Sequence, residues 1–439
     1  MKYSQFNSII PYGEKYALYN TYEDKVIFLE PQLKDILLGT TQAVDNLKKI
    51  HPDFYNYLLS NKFLVPKETD ELEKIKKLAH KIDDNNQIYE LTINPTVNCN
   101  FRCWYCYETH EHSQMSSETI ARVNQLIHNK ISDKDLKNFS IAFFGGEPLL
   151  YFDKVVIPIT DKSIETCKTY NKKLSVGFTT NGYLINDKFI NYFNDRQTKP
   201  HFQITLDGYR ENHDRVRYVS KTKGSYALII NNIKKLINNQ MFVRLRINYT
   251  DDNVEDTYKI AEDFSDIKGE ILKEYLLVDY HRVWQNTKID DINMIVGKNM
   301  RIIKSKGLRV KSSSYNSENV KGACYADKRN SAVINYNGDV FKCTARDFRG
   351  ENRMGYLHKN GEIIWENNSL EHRMNVKFHN RPCFSCRLLA ICNGGCSQQA
   401  LEHLGGVDYC IYAFDEKEKD KVIKNRIDLI VQKNETVKT

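Results

Sequence analysis

No apolar run in the 439 residues approaches a membrane span, which needs roughly 18 consecutive apolar residues. The N-terminal stretch MKYSQFNSIIPYGEKY lacks the basic segment and apolar core of a secretory signal. These absences argue against a helical membrane protein and against export, so a cytoplasmic protein with no membrane partner is expected. Internal repeats and low-complexity tracts are also missing. The formal charge of +8 is scattered along the chain rather than gathered in a block, so no nucleic-acid partner is expected.

Cysteine is absent from residues 1–98 and then unevenly placed. Three lie at Cys99, Cys103 and Cys106, one stands alone at Cys167, and seven fall in the last third: Cys324, Cys343, Cys383, Cys386, Cys392, Cys396 and Cys410. Structural disulfides are rare in a reducing compartment, so grouped thiols there point to metal. The lone Cys167, in the helical pattern SIETCKTY, reads as a small buried hydrophobe.

What remains is the composition of a globular protein, 41% hydrophobic and 27% charged, long enough for two or three domains. Residues 1–86 read as a small mixed unit: KYALYN and KVIFLE flank TYEDK as a hairpin, helical patterns follow, and residues 67–87 read as a solvated helical linker. From residue 88 the runs YELTINPTV, FSIAFFGGEP, LSVGFTTNG, HFQITLDG, FVRLRINYT and EYLLVDY alternate with helix-length segments. One of these segments puts Ile229, Ile230, Ile233, Leu236 and Ile237 on a single face. That alternation predicts a parallel sheet in an incomplete α/β barrel over 87–304, a partial (β/α)6 TIM-like barrel. Functional residues of such a sheet gather at the C-terminal strand ends, where the first cysteines and the GGEP, TTNG and LDG turns fall. Residues 305–439 have fewer regular patterns and most of the cysteines, and read as a metal-stapled domain ending in a polar helix.

Chance placement of the cysteines would give the C-x3-C-x2-C spacing of 99–106 in under about 1% of cases. Structural zinc takes four protein ligands, and catalytic zinc more often recruits His or carboxylate. Three thiolates in one short loop suit three corners of a 4Fe-4S cluster, leaving one iron open.

The loop CNFRCWYC after a strand-like run resembles the cluster loop of the radical S-adenosylmethionine enzymes, in which the open iron chelates the cofactor's amino and carboxylate groups. The resemblance implies further cofactor-binding residues in chain order. Gly145, Gly146, Glu147 and Pro148 would receive the methionine amino group. Asn181 in TTNG, Thr205, Arg246 and Asn248 would line ribose and carboxylate, and Tyr105 would pack by adenine. Glycines that let backbone approach a ligand, and short polar side chains at strand ends, suit those tasks.

The late cysteines are similar in spacing to the SPASM domain, an extension carrying two auxiliary 4Fe-4S clusters in radical enzymes acting on peptides and proteins. That pattern assigns Cys383, Cys386, Cys392 and Cys410 to an outer cluster, and Cys324, Cys343 and Cys396 to an inner one, three clusters in all with S-adenosylmethionine. Zinc ribbons, whose ligands are often C-x2-C pairs, are the minor alternative, since the upstream loop and the seven-cysteine register would then both be accidental. Residues 311–324 supply no further cysteine, so the inner cluster is expected to have an iron open to water, to Glu318 or to a substrate group. By the same resemblance the first 86 residues are a winged-helix-like module gripping a precursor's leader peptide, with a plain packing domain as the alternative. Sulfatase maturases share both modules but place an aspartate directly after the cysteine of the G-x4-C unit; here Thr344 stands there, with Asp347 nearby as a weak catalytic candidate. The expected activity is therefore a peptide maturase forming a thioether or carbon–carbon crosslink through a 5′-deoxyadenosyl radical, fed by flavodoxin or ferredoxin. Formylglycine formation in sulfatases is the runner-up.

Overall fold

Alternation of apolar and polar side chains builds the first elements. Asn7–Tyr12 (β1), Lys15–Asn20 (β2) and Lys25–Leu29 (β3) form a three-stranded antiparallel sheet in chain order. The expected hairpin is β2–β3, and its turn places Asp24 at φ 55°, a left-handed position that Asp tolerates. Helices Pro31–Thr40 (α1), Val44–Ile50 (α2) and Pro52–Ser60 (α3) follow. Leu18, Leu29, Leu37, Leu47, Leu58 and Phe63 close a core among these elements.

The stretch expected to be a solvated linker contains a packed helix, Glu71–Asp83 (α4), started by Asp70 accepting from Glu73 N at 2.9 Å. Its (i, i+4) pair Ile75 and Ala79 is fully buried against Phe6, Phe378 and Leu389. The high charge of the segment hid this narrow apolar stripe.

The structure is a computed structural model and describes residues 1–220, 222–285, 292–312, 324–403 and 408–436. Contacts group the chain into two units. One joins Met1–Asn85, Tyr315–Arg329 and Leu370–Thr439; the other joins Asn86–Ser314 and Asn330–Ser369.

The second unit is built on one sheet. All six expected runs are strands: Ile88–Ile93 (β4), Asn138–Phe143 (β5), Lys173–Thr180 (β6), His201–Leu206 (β7), Val243–Tyr249 (β8) and Leu276–Arg282 (β9). They pair in parallel, in chain order. Between them run Ser117–Ile131 (α5), Ile157–Thr169 (α6), Asp187–Asp195 (α7) and Tyr226–Asn238 (α8). The isoleucine face of α8 is buried as expected, each such side chain contributing about 1.5–3 kcal/mol. Phe143, Phe178 and Phe202, registered across β5, β6 and β7, stack with centroids 5.1 and 5.5 Å apart. Cys167 lies in this core.

The sheet is wider than the six expected strands. Arg309–Ser312 (β10) pairs in parallel with β9, and Ser331–Ile334 (β11) in parallel with β4. Asp339–Phe341 (β12), Gly355–Leu357 (β13) and Ile363–Trp365 (β14) extend it in antiparallel fashion. Among the described residues β10 and β14 are the edges, an open sheet consistent with a partial barrel. The last third of the chain is thus divided: Asn330–Ser369 belongs with the sheet, and Leu370–Thr439 with the first unit.

In the first unit the polar C-terminal helix Glu416–Thr436 (α9) buries Ile423 and Ile427 against Ile10, Tyr19, Leu388 and Ile391. Among the described residues no helix is long and apolar enough to cross a membrane.

Candidate functional site

The loop after β4 is closed at its base by side-chain and backbone bonds. Thr96 Oγ1 donates to Ser113 O at 2.7 Å, Val97 N to Ser113 Oγ at 3.0 Å, and Met115 N to Pro95 O at 2.9 Å. This tie presents Cys99, Cys103 and Cys106, all half-buried, to a cleft at the C-terminal ends of β4 to β9. Burial pushes the Cys99 thiol up to about 12 and Cys106 up to about 11. Bare thiolates are therefore disfavoured there, and a cationic iron group would reverse the balance.

The glycines of the GGEP turn serve the protein's own packing. A Cβ on Gly145 (φ 96°) would meet Thr96 O at 2.4 Å, and one on Gly146 would meet Asn98 O at 2.1 Å. Their absence of side chain lets the turn sit on the cysteine loop, with Gly146 N donating to Thr96 O at 3.1 Å and Glu147 N to Asn98 O at 2.8 Å.

The cleft brings together the cysteines with Tyr105, Gly145, Gly146, Asn181, Thr205, Arg246 and Asn248. Glu147 and Pro148 do not line it. Glu147 is fully buried, and its carboxylate accepts from Leu149 N, Thr180 Oγ1 and Asn181 N at 2.8–3.0 Å. It orders the neighbouring strand end instead of facing the cleft. Asn181 Nδ2 in turn lies 2.8 Å from Asn100 Oδ1 and 3.8 Å from Cys99 Sγ.

Strand alternation explains the polar wall. In β8, Leu245 and Ile247 go into the core while Arg246 and Asn248 line the cleft, and Thr205 of β7 is registered with Arg246. Arg246 Nε donates to Asn248 Oδ1 at 2.8 Å, and Asn248 Nδ2 to Tyr105 OH at 3.0 Å. Tyr105 OH donates to Asp207 Oδ1 at 2.5 Å and accepts from Arg217 Nη2 at 2.9 Å; Arg217 also pairs with Asp207. The buried Arg217–Asp207 pair, absent from the sequence-level site, thus fixes the ring beside the cysteines. Its only signal was the LDG turn containing Asp207, since an ion partner ten residues away has no local pattern.

Glu108 is a second residue that sequence reasoning missed. It lines the cleft, is 8% exposed, and among the described residues its Oε2 has no hydrogen-bond partner. Burial, and then the charge of Asp347, push its carboxyl up to about 8. Asp347, the catalytic candidate, does not line the cleft: Oδ1 accepts from Phe348 N at 2.9 Å, and Oδ2 lies 2.7 Å from Arg349 Nε. Tyr107 OH donates to Thr344 O, which binds the segment after Cys343 to the cysteine loop. Glu318 lies outside the described residues.

In the first unit Cys383, Cys386, Cys392 and Cys410 line one small pocket with Leu388, Leu389, Tyr409, Tyr412 and Lys419. Left-handed Asn393, Gly394 and Gly395 (φ 54°, 79° and 80°) turn the chain away, so that Cys396 leaves this group four residues after Cys392. Cys324 and Cys396 belong to the first unit and Cys343 to the second. Among the described residues no three Cys, His, Asp or Glu side chains converge on a point that would hold one metal ion. An iron–sulfur cluster takes each thiolate on a separate iron, so its donors stand farther apart than donors sharing one ion. An all-thiolate set in a largely apolar pocket fits that group.

Among known protein families, the radical SAM superfamily matches residues 93–264. The chain is 34% identical over 146 residues to the cysteine-type anaerobic sulfatase-maturating enzyme of Clostridium novyi, covering 32% of this chain and 37% of that one. It is 22% identical over 234 residues to the radical SAM cyclopropyl synthase TigE of Paramaledivibacter caminithermalis, covering 48% of each. The matches thus span about a third to a half of these curated relatives. Among solved structures, native anSMEcpe with bound AdoMet superposes with TM-score 0.60 at 16% identity over 80% of this chain and 100% of that one. Streptococcus suis SuiB bound to precursor peptide SuiA gives TM-score 0.52 at 16% identity over 92% and 97%. At such identities the likeness is one of fold.

Proposed function

Residues 93–264 of this chain are a radical SAM domain, and on that premise we propose a radical maturase that modifies a ribosomally made peptide, closing a thioether or carbon–carbon crosslink. The family uses a 4Fe-4S cluster and S-adenosylmethionine. Cys99, Cys103 and Cys106 hold the cluster, and Tyr105, Asn181, Thr205, Arg246 and Asn248 seat the cofactor. Bound together, these groups would supply one-electron chemistry for abstracting a hydrogen atom from the substrate.

The protein's own residues do the positioning. Arg217 and Asp207 fix Tyr105, the hydrogen-bonded Arg246 and Asn248 present donors to anionic and hydroxyl groups, and Glu147 orders the turn that carries Asn181. A cleft at the strand ends shields the reacting atoms from bulk water.

The observation that carries the peptide-modifying reading is the meeting of Cys383, Cys386, Cys392 and Cys410 around one pocket, the donor set of an auxiliary cluster in a SPASM-type domain within 305–439. Cys324 and Cys396 are assigned to the inner cluster, for three clusters in all. Support comes from the peptide-bound SuiB structure of the same fold. The three-stranded sheet β1–β3 with α1–α3 suits leader binding by strand addition at a sheet edge. Flavodoxin or ferredoxin serves as electron donor.

Sulfatase maturation is the second reading, favoured by the 34% identity to the Clostridium novyi enzyme. Against it, Thr344 stands where those enzymes place the base, and Asp347 faces its own backbone and Arg349.

The test reads the neighbouring open reading frames for a short peptide and offers it to the anaerobically reconstituted enzyme with reductant and S-adenosylmethionine. A product lighter by a pair of hydrogens, with a crosslink in its fragmentation spectrum, is expected. Turnover of a sulfatase-derived peptide instead, lost in Asp347→Ala, would establish the second reading.

A further inference from the structure

Cys324 and Cys396 each open a short helical turn, and the two turns are joined by buried polar groups. Asp327 N donates to Cys324 O, and Ala400 N to Cys396 O, both at 2.9 Å, so the backbone of each cysteine is tied to its own turn. Ser397 Oγ donates to Asp327 Oδ1. The other carboxylate oxygen of Asp327 lies 2.8 Å from Lys377 Nζ, which is also 3.4 Å from Asp83 Oδ2, and these charged side chains are only 4–7% exposed. One residue along, the buried Arg373 bridges the same turns: Nε donates to Ala326 O at 3.0 Å and Nη1 to Gln398 Oε1 at 2.8 Å.

The two connections are separate: one runs directly from Asp327 to Ser397, the other from Ala326 through Arg373 to Gln398, so sliding or rotating one turn past the other strains both. A buried ion pair is weak as a source of net stability, because desolvating its charges offsets their attraction. Its selective value lies in fixing one arrangement. Apolar contacts would join the turns as firmly but would not set their register. The joined positions lie two to three residues after one cysteine and one to two residues after the other.

We infer that Asp327, Arg373, Ser397 and Gln398 are positioning residues that hold Cys324 and Cys396 in register, ready to receive one iron–sulfur cluster. The inference rests on the reading that these two cysteines ligate the same cluster. It adds that the ligand pair is set by side chains before iron arrives, and it assigns Lys377 the task of neutralising Asp327 within the clamp.

The test uses the full chain carrying Ser397→Ala with Gln398→Leu, which cut both connections and leave the charged groups in place. After anaerobic reconstitution, bound iron and sulfide are expected to fall by one cluster's complement. The reduced protein should lose the electron paramagnetic resonance signal that Cys324→Ala also removes. Adding Cys324→Ala to the double variant should cause no further loss, and Ser397→Thr, which keeps the donor, should retain the cluster. Leu58→Ala, a destabilising change in the separate core of α1–α3 in the same unit, controls for general loosening and should leave the iron complement intact. Should the double variant fail to fold, Ser397→Ala alone is expected to slow loading of that signal during reconstitution. Full loading at the normal rate in the clamp variants would overturn the proposal. A full complement in Cys324→Ala would instead remove the premise, which separates the two failures.

Discussion

At the residue scale, the cleft depends on groups that carry no motif. Tyr105 is placed by the buried Arg217–Asp207 pair rather than by its neighbours in the cysteine loop. Replacing Arg217 by Met leaves Asp207, 2% exposed, without its cation and with Tyr105 OH as its remaining side-chain donor. The expected loss is about 3–5 kcal/mol in chemical denaturation, the usual result of breaking a buried pair from one side. Glu108 gives a pH signature. Its carboxyl is raised to about 8 by burial, so the folded chain binds a proton that the unfolded chain releases at lower pH. Glu108 therefore lowers stability as pH rises from the ordinary glutamate range to about 8. In cluster-free protein, Glu108→Gln is expected to flatten that decline and to be the more stable form at pH 8 by up to a few kcal/mol. An unchanged pH profile in denaturation would contradict the burial-driven shift.

At the element scale, the turn after β5 is built to lie on the cysteine loop. Gly146→Ala puts a methyl 2.1 Å from Asn98 O, so the loop must move. Loss of iron from the first cluster and of cofactor cleavage is expected, measured by iron content and by 5′-deoxyadenosine formation. Gly39→Ala in α1 meets nothing within 4 Å and is expected to raise stability by about 1 kcal/mol without touching either readout. Legibility in the sequence divides along similar lines. The six strands and the isoleucine face of α8 were readable because their periods are local and clean. The packing of α4 was not, because Ile75 and Ala79 sit in a run of charges. β11 was not, because four residues pair with a strand some 240 positions earlier in the chain. The cysteine loop and the polar positions of β7 and β8 were legible as a site, whereas Glu108 and Arg217 gain their meaning only from burial.

At the scale of the whole molecule, the cysteines divide between two units that each mix early and late segments of the chain. The loop of Cys99, Cys103 and Cys106 sits at the strand ends of one, and the Cys383, Cys386, Cys392 and Cys410 pocket in the other. Because the latter pocket staples short irregular turns, Cys383→Ala or Cys392→Ala is expected to lower solubility and melting temperature as well as iron content. The central claim is that Cys99, Cys103 and Cys106 hold the cluster that cleaves S-adenosylmethionine. The direct measurement is 5′-deoxyadenosine production by reduced, reconstituted protein carrying all three cysteines replaced by Ala, beside the unaltered chain. The expected result is none from the variant, with the iron of the late cysteines retained; continued production would contradict the assignment.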